Sequence, residues 1–298
     1  MDAAGWRAAQ GALAADLAEL CFDLGRLAER VALAGPGAVQ RLALAEASSL
    51  SWWSGDRVTA DRLALWLSYR IGAADDGGEG LIRTAWVARR LMAPQQGRGL
   101  AESLSLSLGE EGRADPVLLA DVAAEMEALA GASAVTKGAA LFRLWRSLDE
   151  RPDHLRGLEA AVLGARVAGP ESVLGALPFL PLSLVGFAAM SASGSAEARL
   201  AGWITGAHRA VLSALMALDR LVAWRAKAEA ATADLQGRTP ARLIAALAAH
   251  PMLAAPQAEL ETGASRAAVQ RNLDTLVARD LVREVTGQGR FRIWAAGV

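Results

Sequence analysis

The sequence predicts a mostly α-helical protein that ends in a small unit of three helices and a β-hairpin. Three observations predict it. Apolar residues recur at three- and four-residue spacing along most of the chain. The composition is 53% hydrophobic, carried by Ala and Leu, with one Tyr and five Phe, which favours packed helices. After Arg238 the helical spacing gives way to two short strand-like runs split by Thr286-Gly287-Gln288-Gly289. A chain of 298 residues can bury a substantial core and divides here into residues 1–94, 95–237 and 238–298.

The first helix is expected from Asp2 to Val31, with Leu13, Leu17, Leu20, Leu24 and Leu27 as its stripe. That stripe fits a bundle core or a dimer seam. Gly35-Pro36-Gly37 breaks it, and a second helix covers Ala38 to Leu50. Gly55-Asp56-Arg57 reads as a tight turn, and Thr59 caps a helix holding Leu63, Trp66 and Leu67. Ala73 to Gly80 is acidic and Gly-rich. Asp75, Asp76 and Glu79 lack the spacing of a calcium loop, so a solvated connector is expected.

A helix follows from Leu81 to Met92, then a linker from Pro94 to Gly99 and a Ser- and Gly-rich mobile stretch from Ser103 to Asp115. Asp115-Pro116 opens a helix through Leu129. Two more cover Gly138 to Leu148 and Leu158 to Val167. Ser172 to Ala196 is uncharged and long enough for a membrane span. Pro178 and Pro181 interrupt it, so a buried connection with a core helix is expected, and no membrane partner. The last body helix runs from Glu197 to about Leu235, with Leu200, Ile204, Val211, Leu215, Leu218 and Leu221/Val222 facing inward. Gly237-Arg238 then hinges into the C-terminal unit.

In that unit Thr239 caps a helix led by Pro240 and carrying Leu243, Ile244 and Leu247; His250-Pro251 ends it. A short helix covers Pro256 to Glu261, and Gly263 closes it. Ser265 caps the third helix, Arg266 to Arg279, with Val269, Leu273, Leu276 and Val277 inward and Ala267, Arg271, Asp274 and Ala278 outward. Leu281–Val285 and Arg290–Trp294 are the strands. This order is that of a winged helix-turn-helix, with the hairpin as wing. The unit carries eight Arg and five carboxylates, net +3, on a chain of net charge −1.

The run SRAAVQRNLDTLVARDLVREVTGQGRFRIW resembles the winged helix appended to many Fic-family proteins, and the DeoR-type repressor helix with its Ser-x-x-Thr-x-x-Arg-Asp-Leu pattern. Ser265, Arg271 and Leu273 match; Ala268 and Asn272 depart from it. Glu46 to Leu67 resembles the N-terminal region of Fic-related proteins. Trp52-Trp53-Ser54-Gly55-Asp56-Arg57-Val58 is similar to the Trp-x-Glu-Gly-x-Arg-Val run of a plasmid-associated helix-turn-helix family. Ser54 stands where that run has Glu, the residue that restrains catalysis in Fic enzymes. The body is thus expected to be Fic-like or a bundle. The His-Pro-Phe and Gly-Asn-Gly-Arg segments of a Fic enzyme do not occur, which argues against a nucleotidyl transferase.

No Gly-rich phosphate loop, zinc cluster, Ser-His-Asp order or carboxylate pair stands out, so no catalytic residue, cofactor or metal is expected. His208 reads as structural. The lone Cys21 reads as buried filler, compatible with a reducing cytoplasm, and most of the nine Trp as core. The expected function is a DNA-binding transcriptional regulator. Alternatives are a scaffolding wing, or a replication or partition factor of a mobile element. The expected partners are double-stranded DNA and a second copy of the chain. Gln270 and Arg271 are expected at base edges or phosphates, Ser265 and Arg266 at positioning contacts. Arg283, Gln288, Arg290 and Arg292 are expected on the backbone from the wing.

Overall fold

The structure, a computed structural model, describes residues 1–71, 78–94, 99–108, 115–148, 153–170, 177–287 and 291–298. It is mostly helical, with a small three-stranded sheet near the C-terminus. The expected first helix is two: α1 (Ala3–Ala12) and α2 (Ala14–Ala34), separated at Leu13. Gly11 weakens the last turn before the break. Asp2 starts α1 by accepting from the Gly5 amide at 2.9 Å. Gly35, at φ 82°, turns the chain into α3 (Pro36–Ser54).

α3 runs a full turn beyond the expected Leu50. Its serines are satisfied within the helix: Ser51 donates to the Ser48 carbonyl and Ser54 to the Ser51 carbonyl. Gly55 ends it in the left-handed region at φ 91°. Thr59 caps α4 (Ala60–Tyr69) by accepting from the Arg62 amide, as expected. α5 (Gly78–Met92) lies against α3. The connector of residues 73–77 and most of the Pro94–Gly99 linker lie outside the described residues.

Ser103 to Leu108 of the stretch expected to be mobile lies instead in α6 (Leu100–Leu108), with Leu104, Ser107 and Leu108 buried, and residues 109–114 lie outside the described residues. Its leucines have a partner that periodicity does not reveal. α7 (Pro116–Glu127) is capped by Asp115. α8 (Ala134–Ser147) and α9 (Asp153–Val167) pack backbone to backbone: a Cβ at Gly138 would lie 2.5 Å from the Gly164 carbonyl oxygen. Arg166 of α9 is buried and ties three elements. It donates to the Ser107 hydroxyl and to the carbonyls of Arg90, Ala93 and Pro94, and burial pushes its pKa down to about 10.

Residues 177–187 have no helix. Leu177, Phe179, Leu180 and Leu182 are buried there, which accounts for the apolar run without a membrane. Among the described residues no helix is long and apolar enough to cross one. α10 (Ala188–Ser191) then sits on α11 (Ala196–Ala231). Glycine permits that approach: a Cβ at Gly206 would fall 2.3 Å from the Ala189 nitrogen.

The α2 stripe of Leu17, Leu20, Leu24 and Leu27 packs against α11, whose Leu200, Ile204, Val211, Leu215 and Leu218 are buried in the same core. The first-helix stripe thus serves as a bundle core, one of its two expected roles, whereas Val222 of α11, expected to face inward, is exposed. His208 of α11 crosses to Asp23 of α2 at 2.9 Å, and Arg26, one turn further along α2, holds the same carboxylate at 2.7 Å. The His208 hydrogen bond, then that of Arg26, holds the Asp23 carboxyl below its usual range. Cys21 is exposed rather than buried, because it faces away from the α2 stripe; partial desolvation nonetheless raises its pKa, which keeps the thiol protonated.

The extended run is held by an acid. Glu46 of α3 is fully buried, and its Oε1 accepts from the Leu182 and Ser183 amides, each at 2.9 Å. Burial outweighs those bonds and pushes its pKa from 4.5 to about 7. A raised acid favours folding while protonated, so this contribution is lost as pH climbs from about 4.5 through about 7. Melting midpoints followed over that window should fall for the wild type. Glu46→Gln, which keeps the accepting oxygen but cannot ionise, should flatten that part of the slope. An unchanged slope would show that Glu46 does not titrate there.

Candidate nucleic-acid interface

Past Gly237, at φ 87°, the chain forms α12 (Thr239–Ala249), β1 (Leu253–Ala254), α13 (Ala255–Thr262) and α14 (Arg266–Ala278). The strands β2 (Val282–Glu284) and β3 (Ile293–Ala296) complete it. The sheet order is β1-β3-β2, all antiparallel, with Leu253 opposite Trp294 and Glu284 opposite Trp294 on the other side. The order is that of a winged helix. The first strand was not expected: two residues give no periodicity, and only β3 draws them into a ladder.

Local chemistry sets the turns. Thr239 is the first helical residue rather than the cap, and Arg238 precedes it without a side-chain cap. Gly263 adopts φ 64° as expected, and Ser265 caps α14 by accepting from the Ala268 amide at 3.4 Å. Asp280 takes the left-handed region at φ 54° and turns the chain from α14 into β2. Val269, Leu273 and Leu276 are fully buried against α12 and α13. Leu221, Trp224 and Ala228 of α11 belong to this same core, and the Trp224 indole donates to the Leu281 carbonyl at 2.6 Å. The expected hinge is therefore a turn within a shared core: packing begins at Leu221, ahead of the 237/238 boundary.

The body grips the unit on its α12 and β1 side. Arg41 of α3 donates to the Leu247 and His250 carbonyls, each at 2.6 Å, where α12 leaves carbonyls without helical partners. Burial pushes the Arg41 pKa down to about 10. A Cβ at Gly37 would fall 1.7 Å from the Ala249 carbonyl oxygen, so only glycine allows α3 this close. The Tyr69 hydroxyl accepts from the Ala254 amide at 2.9 Å and covers the free edge of β1. It also meets the Gln257 side-chain oxygen at 3.0 Å. Arg283 pairs with Asp61 of α4 at 2.8 Å. None of these anchors has a sequence signal, because each pairs residues at least 180 positions apart.

The opposite face is α14. Arg266 and Arg271 are exposed on it, and among the described residues neither guanidinium has a partner. Ala267 and Ala278 share the exposed side. Gln270 and Arg292 are not free. Gln270 donates to Asp274 Oδ1 at 2.8 Å, and Arg292 reaches the same oxygen at 3.3 Å while lying 5.3 Å from the centre of the Trp294 ring. Asp274 thus bridges the third helix and the wing. Arg279, at the end of α14, is held by Asp234 at 2.7 Å. Gln288 and Arg290 lie outside the described residues.

The structure thus groups Ser265, Arg266, Gln270, Arg271 and Arg292 on one face and turns Arg283 toward the body. Phe291 is 83% exposed at φ 58°, an apolar side chain on the wing that the strand reading passed over. Among the described residues no group of His, Cys, Asp or Glu could hold a metal ion. No protein-family model matches the chain, and no curated protein matches it.

Removing the grip has a measurable cost. Arg41→Ala strands the α12 carbonyls without their donor, a loss of about 1–3 kcal/mol. Hydrogen exchange should accelerate at the end of α12 and in β1, while amides in the middle of α14 stay protected. Equal acceleration throughout the unit would show that Arg41 supports the whole fold rather than this interface.

Proposed function

We propose that this protein binds double-stranded DNA through α14 and the wing, and acts as a transcriptional regulator. One observation carries the reading. Among the described residues Arg266 and Arg271 have no partner, and they stand exposed at the N-terminal half of α14, on a face that the body leaves open while it grips α12 and β1. Unpaired guanidiniums at that place can fork onto guanine edges or phosphates. The amides beyond the Ser265 cap add a phosphate seat at the helix N-terminus. In this reading Arg283 braces the unit on the body through Asp61 and leaves the phosphate contacts to Arg292 and the free α14 arginines.

No catalytic role is assigned, and the protein is read as cytoplasmic. Two half-sites would give the specificity that one small unit lacks, so it is read as a homodimer on DNA. With the α2 and α11 stripes buried, such a dimer must use another surface.

A gel shift against genomic fragments, the protein's own upstream region among them, tests the reading. Failure to bind any fragment at low salt sinks it. Arg271→Ala should weaken a specific site by about 1–3 kcal/mol with circular dichroism unchanged. Unchanged specific affinity would remove Arg271 from the contact.

Asp274 supplies a test of opposite sign. Asp274→Ala removes a negative charge facing the phosphates and releases Arg292 and Gln270. It should tighten binding to all sequences several-fold and steepen the salt slope by about one unit. A weaker or unchanged affinity would place Arg292 off the DNA.

A further inference from the structure

At 36 residues α11 is the longest helix among the described residues, and it buries only one side. Leu200, Val211, Ala214 and Leu218 face the core of the body. On the side opposite Ala214, Thr205, Arg209, Leu212, Met216, Asp219 and Ala223 are all exposed. They follow one another at intervals of four, three, four, three and four positions. That alternation keeps six side chains on one straight stripe and is the spacing by which a helix meets a second helix along its length. The middle of the stripe is apolar and lies in water: Leu212 is 40% exposed and Met216 60%.

The stripe is symmetric in size and opposite in charge. About Ala214, Leu212 mirrors Met216, Arg209 mirrors Asp219, and Thr205 mirrors Ala223. Two copies laid antiparallel across a two-fold axis at Ala214 set Leu212 on the partner's Met216 and Arg209 on the partner's Asp219, each contact occurring twice. A parallel pairing would oppose Arg209 to Arg209 and Asp219 to Asp219, which like charges disfavour. Both charges can take a partner. Arg209 is exposed, and among the described residues nothing pairs with it. Asp219 takes Arg30 of α2 on Oδ1 at 2.8 Å, yet its side chain remains 58% exposed, which leaves Oδ2 for a second donor.

We propose that two copies of this chain pair through the outer faces of α11, antiparallel about Ala214. The proposal rests on the homodimer reading above and supplies its surface. Leu212 and Met216 of both copies form the apolar centre. The two ion pairs are exposed and add little stability, but they fix direction and register. Thr205 and Ala223 are small and leave room beyond them for the helices to run side by side. The winged core takes in α11 from Leu221 to Ala228, past the axis at Ala214. At 1.5 Å per residue the two winged units then lie about 20–40 Å apart along the paired helices. That span includes the separation of about 34–36 Å between half-sites one turn of DNA apart.

The mass of the full-length protein is measured by sedimentation velocity without DNA across the micromolar range, and a dimer is expected. Met216→Glu should be a monomer with the circular dichroism of the wild type, since Met216 lies outside the core. Arg209→Asp sets carboxylates against each other at both ends and should weaken association by about ten-fold or more. Adding Asp219→Arg to that variant restores opposite charges with the direction reversed, and the dimer should return. A substitution that merely damages the fold would not be rescued in this way. A wild-type monomer throughout the range overturns the proposal. So does a dimer that survives Met216→Glu, or a double variant that associates no better than Arg209→Asp alone. These masses are read without DNA, so failure of the gel shift would leave them unchanged.

Discussion

The Arg41 guanidinium at the end of α12 is the contact on which the arrangement of the molecule turns. A helix leaves its last carbonyls without amide partners, and a buried helix end must find donors elsewhere. Here one side chain from α3 supplies them, and the partial negative charge at that helix end favours the cation. The glycine at position 37 lets the two backbones approach closely enough for that reach. Tyr69 on the β1 edge and Asp61 on Arg283 extend the same interface. The winged unit is thereby oriented with its third helix away from the body. The orientation follows from satisfying backbone groups, and the exposed arginines are a consequence of it.

α3 connects this interface to the rest of the body. Its N-terminal end meets α12, its middle holds the Leu182–Ser183 backbone through the buried Glu46, and its last turn lines a cavity together with Arg143 of α8. Each of these places buries an ionisable group, and each answers the charge differently. Arg41 is met by carbonyls. Glu46 is met by two amides and driven toward its neutral form. Arg143 is met by further arginines and an aromatic ring. Burying a charge costs free energy unless something compensates it, and the three places lie along one helix.

Much of the fold was legible in the sequence, for local reasons. The caps at Asp115, Thr59 and Ser265, the left-handed glycines 35, 55 and 263, and the spacing of Val269, Leu273 and Leu276 are short-range features that act within one or two turns. The break at Leu13 and the existence of α6 were not legible. The first depends on marginal helix propensity, and the second on partners far along the chain. A stripe of leucines says that a face will be buried but not against what; α2 and α11 bury theirs against each other.

The candidate site divides along the same line. The sequence by itself determined that a helix begins at Ser265, which of its residues face outward, and that arginines stand among them, because helical period and cap chemistry are properties of consecutive residues. Tertiary structure alone decided which of those groups are free. Asp274 takes Gln270 and Arg292, Asp61 takes Arg283, Asp234 takes Arg279, and among the described residues Arg266 and Arg271 remain. It also decided that α11 shares the winged core. A charge is available only when no opposite charge lies within reach, and reach is a property of the folded chain.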